Sequence, residues 1–243
     1  MIRIAAVGDV HFGRDSAGCL QPHLPQLAEE SDLLVIAGDL TRCGSAEEAA
    51  VLAKELDGLP LPVFAVLGNH DYHADENDGI TRVLTDAGIR VLEGEGEIVT
   101  VGGARVGVAG IKGFGGGFAG ACGTEFGEPE MKSFIRHTKE TATRLEDALR
   151  SLDADYRICV LHYAPVEETL RGERLEIYPF LGSYLLAEAV DRAGADIVFH
   201  GHAHAGSEKG VTPGGVRVRN VAQPVIRHAF NQYCLGETGL GDC

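Results

Sequence analysis

Val198-Phe199-His200-Gly201-His202-Ala203-His204 puts three histidines within three alternate positions on either side of Gly201 and Ala203, directly after a run of apolar residues. Residues 196–199 read as a buried strand, because a short apolar run bounded by glycine suits a sheet covered on both faces. Gly201 lets the chain turn sharply as it leaves. The imidazoles therefore stand just outside the carboxyl end of a strand, where open α/β sheets place their chemistry. Taken alone, such a tract is equally a solvated polar loop, since clustered histidines suggest metal without requiring it.

Other apolar runs end the same way. Residues 4–7 lead into Gly8-Asp9-Val10-His11, residues 33–37 into Gly38-Asp39, residues 63–67 into Gly68-Asn69-His70-Asp71, and residues 158–161 into His162. All finish on Asp, Asn or His, side chains that ligate divalent metals. Helical patterns separate them. Ser45 and Glu48 form a capping box ahead of a stripe of Ala49, Leu52, Ala53 and Leu56, stopped by Gly58 and Pro60. A short helix covers residues 79–87, and Pro129 opens a long one in which Ile135, Ala142, Leu145 and Leu149 keep the helical period. Another runs from Ser183 to Gly194. Residues 97–101 and 105–109 read as a hairpin, and residues 216–221 as a last strand. Pro22 and Pro25 interrupt residues 15–30, and residues 232–243 read as a tail without pattern. Strands alternating with helices predict an α/β protein in which one sheet edge collects the strand-end ligands.

The 243 residues suit one domain over 1–243 with a substantial core, and no linker-like stretch divides them. Hydrophobic residues at 44% describe an ordered globular chain. No apolar run approaches the ~20 residues of a membrane helix, and the first strand starts at residue 2, so a cytoplasmic protein without a membrane partner is expected. Cys19, Cys43, Cys122, Cys159, Cys234 and Cys243 show no C-x-x-C spacing and read as free thiols. The formal charge of −15 makes duplex nucleic acid a poor partner, whereas a small anionic substrate stays open because bound cations would outweigh that charge locally.

Asp9, Asp39 and Asn69 with His11, His162, His202 and His204 are too many for one tetrahedral zinc. They suit two divalent metals sharing a carboxylate. Metal pairs of this kind, ~3.5–4 Å apart, favour in-line displacement at phosphorus: they clamp the attacking and phosphoryl oxygens and lower the pKa of a shared water. Manganese, iron and zinc all accept mixed imidazole and carboxylate ligands. His70, next to a ligand and surplus to that turn, has the pKa range for protonating a leaving oxygen. His23, His73, His137, His200 and His228 read as ordinary; strand alternation turns His200 away from its neighbours' face.

Asp9-x-His11, Gly38-Asp39, Gly68-Asn69-His70-Asp71, His162 and Gly201-His202-x-His204, in that order, resemble the calcineurin-like metallophosphoesterase superfamily over residues 2 to about 221. The resemblance implies a four-layer αββα sandwich of two mixed sheets flanked by helices, with a binuclear centre at one end. It implies that Asp9, His11, Asp39 and His204 hold the first metal, and that Asp39 bridges to a second held also by Asn69, His162 and His202. It puts the general acid on His70, with Asp71 as its orienting partner. The Gly-Asn-His-Asp form looks most like the bacterial phosphodiesterases of this group, so the expected reaction is hydrolysis of a small phosphodiester, a cyclic nucleotide among the candidates. The alternatives are a phosphomonoesterase and a catalytically silent metal-binding scaffold.

Two loops complete the reading. Residues 110–127 carry eight glycines and read as a lid or as a plain surface loop. With residues 167–180 they are expected to line the entrance, Arg171 or Arg174 pairing with phosphate while Phe114, Phe118, Tyr178 or Phe180 packs against the leaving group.

Overall fold

The structure, a computed structural model, describes residues 1–236 and 239–241. The chain opens with parallel strands β1 (Ile2–Val7), β2 (Leu33–Ala37) and β3 (Val63–Val66), followed at the edge by β4 (Arg90–Val91). Helices α1 (Leu24–Glu30), α2 (Ala46–Glu55) and α3 (Asn77–Asp86) make the connections. Pro25 sits in the first turn of α1, so here proline starts a helix where the sequence predicted an interruption. Ser45 caps α2 through its hydroxyl, and Glu48 reaches back to the Cys43 amide.

The second sheet begins with the antiparallel hairpin β5 (Glu95–Val101) and β6 (Ala104–Ile111). A two-rung ribbon, β7 (Gly117–Phe118) and β8 (Ala121–Cys122), leads to α4 (Pro129–Arg150) and β9 (Tyr156–Leu161). Then come α5 (Tyr178–Leu181), α6 (Tyr184–Ala193), β10 (Ile197–His200), β11 (Lys209–Val211) and β12 (Arg217–Asn220). After α7 (Gln223–Ile226), β13 (Asn231–Gly236) and β14 (Gly239–Gly241) return to the first sheet. Strand orders are β14-β13-β1-β2-β3-β4 and β11-β12-β10-β9-β6-β5.

Period-two alternation builds the layers. Val106, Val108, Ile158, Val160, Ile197 and Phe199 join the core shared with β1 to β3, while Ala109, Cys159, Leu161 and Val198 turn to the opposite face and pack with Leu145, Leu149, Leu186 and Val190 of α4 and α6. Leu27, Leu52, Ile80 and Leu84 cover the first sheet's outer face. The result is two large mixed sheets flanked by helices.

The expected tail is corrected over much of its length. β13 pairs antiparallel with β1, and Tyr233, Cys234 and Leu235 are buried, so these residues complete the first sheet. Cys234 is disulfide-bonded, against the free thiol expected there; Cys19, Cys43, Cys122 and Cys159 are free. Cys243 lies outside the described residues. Among the described residues no helix is long and apolar enough to cross a membrane.

Candidate metal centre

The sheets bring their carboxyl ends to one place. Asp9 and His11 leave β1, Asp39 leaves β2, Asn69 and His70 leave β3, His162 leaves β9, and His202 and His204 leave β10. Metal-ligating atoms of Asp9, His11, Asp39 and His204 lie within 4.8 Å of one another, and so do those of Asp39, His162 and His202. Asp39 belongs to both groups, and Asn69 joins the second, its Oδ1 2.9 Å from His162 Nε2.

Close approach explains the glycines beside these residues. A Cβ on Gly68 would fall 2.1 Å from Asp39 Oδ1, and one on Gly201 would fall 2.3 Å from Asp9 Oδ2. Neither carboxylate would keep its place beside a side chain there. The backbone is also strained: Asp9, His11, Asp39 and His202 have φ of 57°, 44°, 49° and 70°, angles that L residues avoid.

The hydrogen bonds orient the donors. His162 Nδ1 donates to the Ala37 carbonyl at 2.9 Å, and a carbonyl only accepts, so Nε2 carries a lone pair. That lone pair meets Asn69 Oδ1, and Asp39 Oδ1 lies 3.3 Å away. Three acceptors converge there, only Asp39 Oδ1 having a donor, the His70 amide at 2.8 Å, and together they fit a cation. His202 turns Nε2 to the Phe180 carbonyl at 3.3 Å, leaving Nδ1 for the same space. Asp9 takes the His202 amide and, 2.7 Å away, His204 Nε2. Burial pushes His162 and His202 down to about 3, so both rings are neutral and offer lone pairs at neutral pH. Burial also raises the Asp9 carboxyl to about 6, while its hydrogen bond raises His204.

His70 stands at the same edge, its ring edge-on to His11 at 4.6 Å between centroids. Its Nδ1 donates to the Arg42 carbonyl at 2.9 Å, which leaves Nε2 open. Asp71 is not its orienting partner, which corrects the sequence reading. The Asp71 carboxylate accepts from Leu40 N, Thr41 N, Thr41 Oγ1 and Gly68 N, tying the turns after β2 and β3 together. Adjacency in sequence put Asp71 beside His70, but the chain turns between them and buries the carboxylate.

The loop residues divide. Phe114 lies against Tyr163, whose ring is 4.5 Å from that of His202, and so flanks the centre one ring away. Arg171 and Arg174 are exposed on the segment that ends at Phe180. Tyr178 is buried with Phe118, Leu170 and Leu181 and spends its hydroxyl on the Leu170 carbonyl, which corrects its reading as a leaving-group contact. Residues 110–127 are tied down by Gly116 N to Pro179 O, Gly117 N to Gly182 O and Thr138 Oγ1 to Gly115 O. His200 is buried and bonded to Gly201 O and Thr169 Oγ1, an ordinary histidine as alternation predicted. The sequence reading passed over Lys112, which ends β6 as the ligands end their strands.

This fold with this donor set defines an α/β protein with candidate metal-binding groups gathered at the carboxyl ends of its two sheets. The chain belongs to the calcineurin-like phosphoesterase family, whose profile matches residues 2–206. An uncharacterized metallophosphoesterase of Aquifex aeolicus is 45% identical over 69 residues, a stretch that takes in 28% of this chain and 26% of that one. The chain thus spans about a quarter of that relative's length. Among solved structures, the phosphopantetheinyl hydrolase of Mycobacterium tuberculosis superposes with a TM-score of 0.67 at 17% identity, covering 92% of this chain and 90% of that one. GAP50, described as the anchor in the inner membrane complex of Plasmodium, superposes at 0.58 with 14% identity over 98% and 82% of the two chains. Identities this low establish the fold and leave activity to the site.

Proposed function

We propose that this chain hydrolyses small anionic phosphodiesters, cyclic nucleotides among them, using two divalent cations of the manganese, iron or zinc type. The observation that carries the reading is Asp39, shared between two clusters of acceptors drawn from both sheets. In this assignment Asp9, His11, Asp39 and His204 hold one cation, and Asp39, Asn69, His162 and His202 the other. Bound there, the pair supplies Lewis-acid activation of the phosphoester and of the attacking water. The protein does the rest. Ala37 O fixes the His162 tautomer, and Asp9 anchors the turn that carries His202 and His204. His70, held by Arg42 O, delivers a proton from Nε2 to the departing oxygen. Phe114 flanks the leaving group, and Arg171 and Arg174 supply outer phosphate contacts.

The test is turnover of bis-p-nitrophenyl phosphate and p-nitrophenyl phosphate by metal-stripped protein, with Mn²⁺, Fe²⁺ and Zn²⁺ added back singly. Metal-dependent turnover with the diester preferred is the expected result. Preference for the monoester makes the chain a phosphomonoesterase, and no turnover of either ester with any metal defeats the hydrolase reading.

A further inference from the structure

We propose that Lys112 is a substrate-binding residue of this centre, its ammonium receiving an anionic oxygen of the phosphoester; the proposal rests on the phosphoester reading above. β6 and β9 run parallel with Ile111 beside Leu161, and the His162 and Tyr163 amides both donate to Lys112 O, at 2.9 and 3.0 Å. Lys112 therefore sits alongside His162 at the end of the second sheet. Alternation sets its direction. Val106 and Val108 face the first sheet, as does Gly110, where a Cβ would meet Val66 of β3 at 2.7 Å, so Lys112 extends from the same face toward the turn that carries Asn69 and His70.

The ammonium is held there by rings. Nζ lies 4.3 Å from the Tyr72 ring centroid, 5.5 Å from Phe114 and 5.8 Å from Tyr163. Aromatic faces attract a cation but accept no strong hydrogen bond, and among the described residues no oxygen takes any of its N–H donors within bonding distance. Glu93 is the nearby countercharge; the Leu67 and Lys112 backbone amides bond its carboxylate, while its Oε1 is buried without a partner and takes no bond from the ammonium. A purely structural lysine–glutamate pair would close that gap with a direct bond. Lys112 instead keeps three donors free at a position that feels the charge of Asp39, the residue common to both cation clusters. A phosphoester oxygen is the acceptor that fits: anionic, and delivered to this edge by the chemistry itself.

The experiment measures inorganic phosphate binding to the metal-loaded protein by calorimetry, beside KM and kcat on bis-p-nitrophenyl phosphate. Removing a charged hydrogen-bond donor is worth ~10- to 100-fold in affinity. Lys112→Met should weaken phosphate binding and raise KM by about that factor, with two metals retained and kcat changed less than KM. Lys112→Arg should recover part of the loss. Because Lys112→Met leaves Glu93 with Arg144 as its remaining nearby cation, Lys112→Met/Glu93→Gln is the partner variant and should show the same loss in a chain free of that charge. Unchanged phosphate binding and KM in a folded methionine variant would overturn the proposal, and so would an arginine variant no better than methionine. Wild-type protein that neither binds phosphate nor turns over either ester would instead remove the phosphoester reading on which the proposal rests.

Discussion

The ligand turns and residues 110–127 are both glycine-rich loops that follow strands, and they use left-handed backbone in opposite ways. In residues 110–127 every residue with positive φ is glycine: Gly113, Gly116, Gly117, Gly120 and Gly127. In the ligand turns Asp9, His11, Asp39 and His202 hold such angles themselves. Left-handed backbone costs an L residue roughly 1–2 kcal/mol, a cost glycine avoids. Of the six described non-glycine residues with such angles, four are these candidate ligands, and the other two, Asp75 and Arg227, lie outside the ligand set. The same angles under glycine mark packing, as at Gly117, whose φ is 93° and where a Cβ would collide with Ala121 O. Glycine content alone, which suggested a lid, does not separate the two cases.

The comparison breaks first at Asp39. If the strain there is held for a shared ligand, Asp39→Ala should lose metal from both clusters and drop turnover to background, whereas Asn69→Ala should mainly empty one. Elemental analysis of the two variants decides it, and equal loss of a single metal in both would contradict the sharing. His70 comes next. With φ in the ordinary range and a ring held by Arg42 O, it is assigned to proton transfer and not to metal binding. His70→Ala should keep both metals and lose ~10²–10⁴-fold in kcat where chemistry limits turnover, with a smaller deficit on esters of activated phenols. Metal loss in that variant would make His70 a ligand.

The smallest effect sharpens the contrast most. In metal-free protein Asp39→Gly should be more stable than Asp39→Ala by about 1 kcal/mol, since release of ~1–2 kcal/mol of left-handed strain outweighs ~0.5 kcal/mol of added unfolded-chain entropy. That difference is about 2–4 °C in thermal midpoint for a chain of this size. Gly117→Ala is the mirror case, with φ of 93° and a Cβ that would fall 2.1 Å from Ala121 O, and should lower the midpoint by more.

Much of this was legible in the sequence because the decisive signals are local. Apolar runs ending in Asp, Asn or His located the strand ends, and alternation alone turned His200 away from the centre. Ser45, Pro129 and Ser183 marked helix starts through capping physics. What escaped depends on contacts between distant segments. Asn231–Gly236 lacks a clean alternation because both faces of the strand are covered, leaving the successive residues Tyr233, Cys234 and Leu235 all buried. The direction of Asp71 is set by amides from the turns after β2 and β3, which no spacing reports. Lys112 ends its strand as the ligands end theirs, but a search for metal-binding side chains passes over a lysine.

Asp9 and the His202 amide that binds it are 193 positions apart. A ribosome therefore makes one half of the centre long before the other, and the acidic turns after β1 and β2 wait through most of translation for the histidines that complete them. Contacts of such separation close late and slowly, after the entropy of a very long loop has been overcome. Until then β1 has β2 on one edge and an open ladder on the other, because its second neighbour, β13, is made later still. A nascent chain in that state exposes a flat apolar edge, the kind that chaperones cover and that pairs wrongly when left alone.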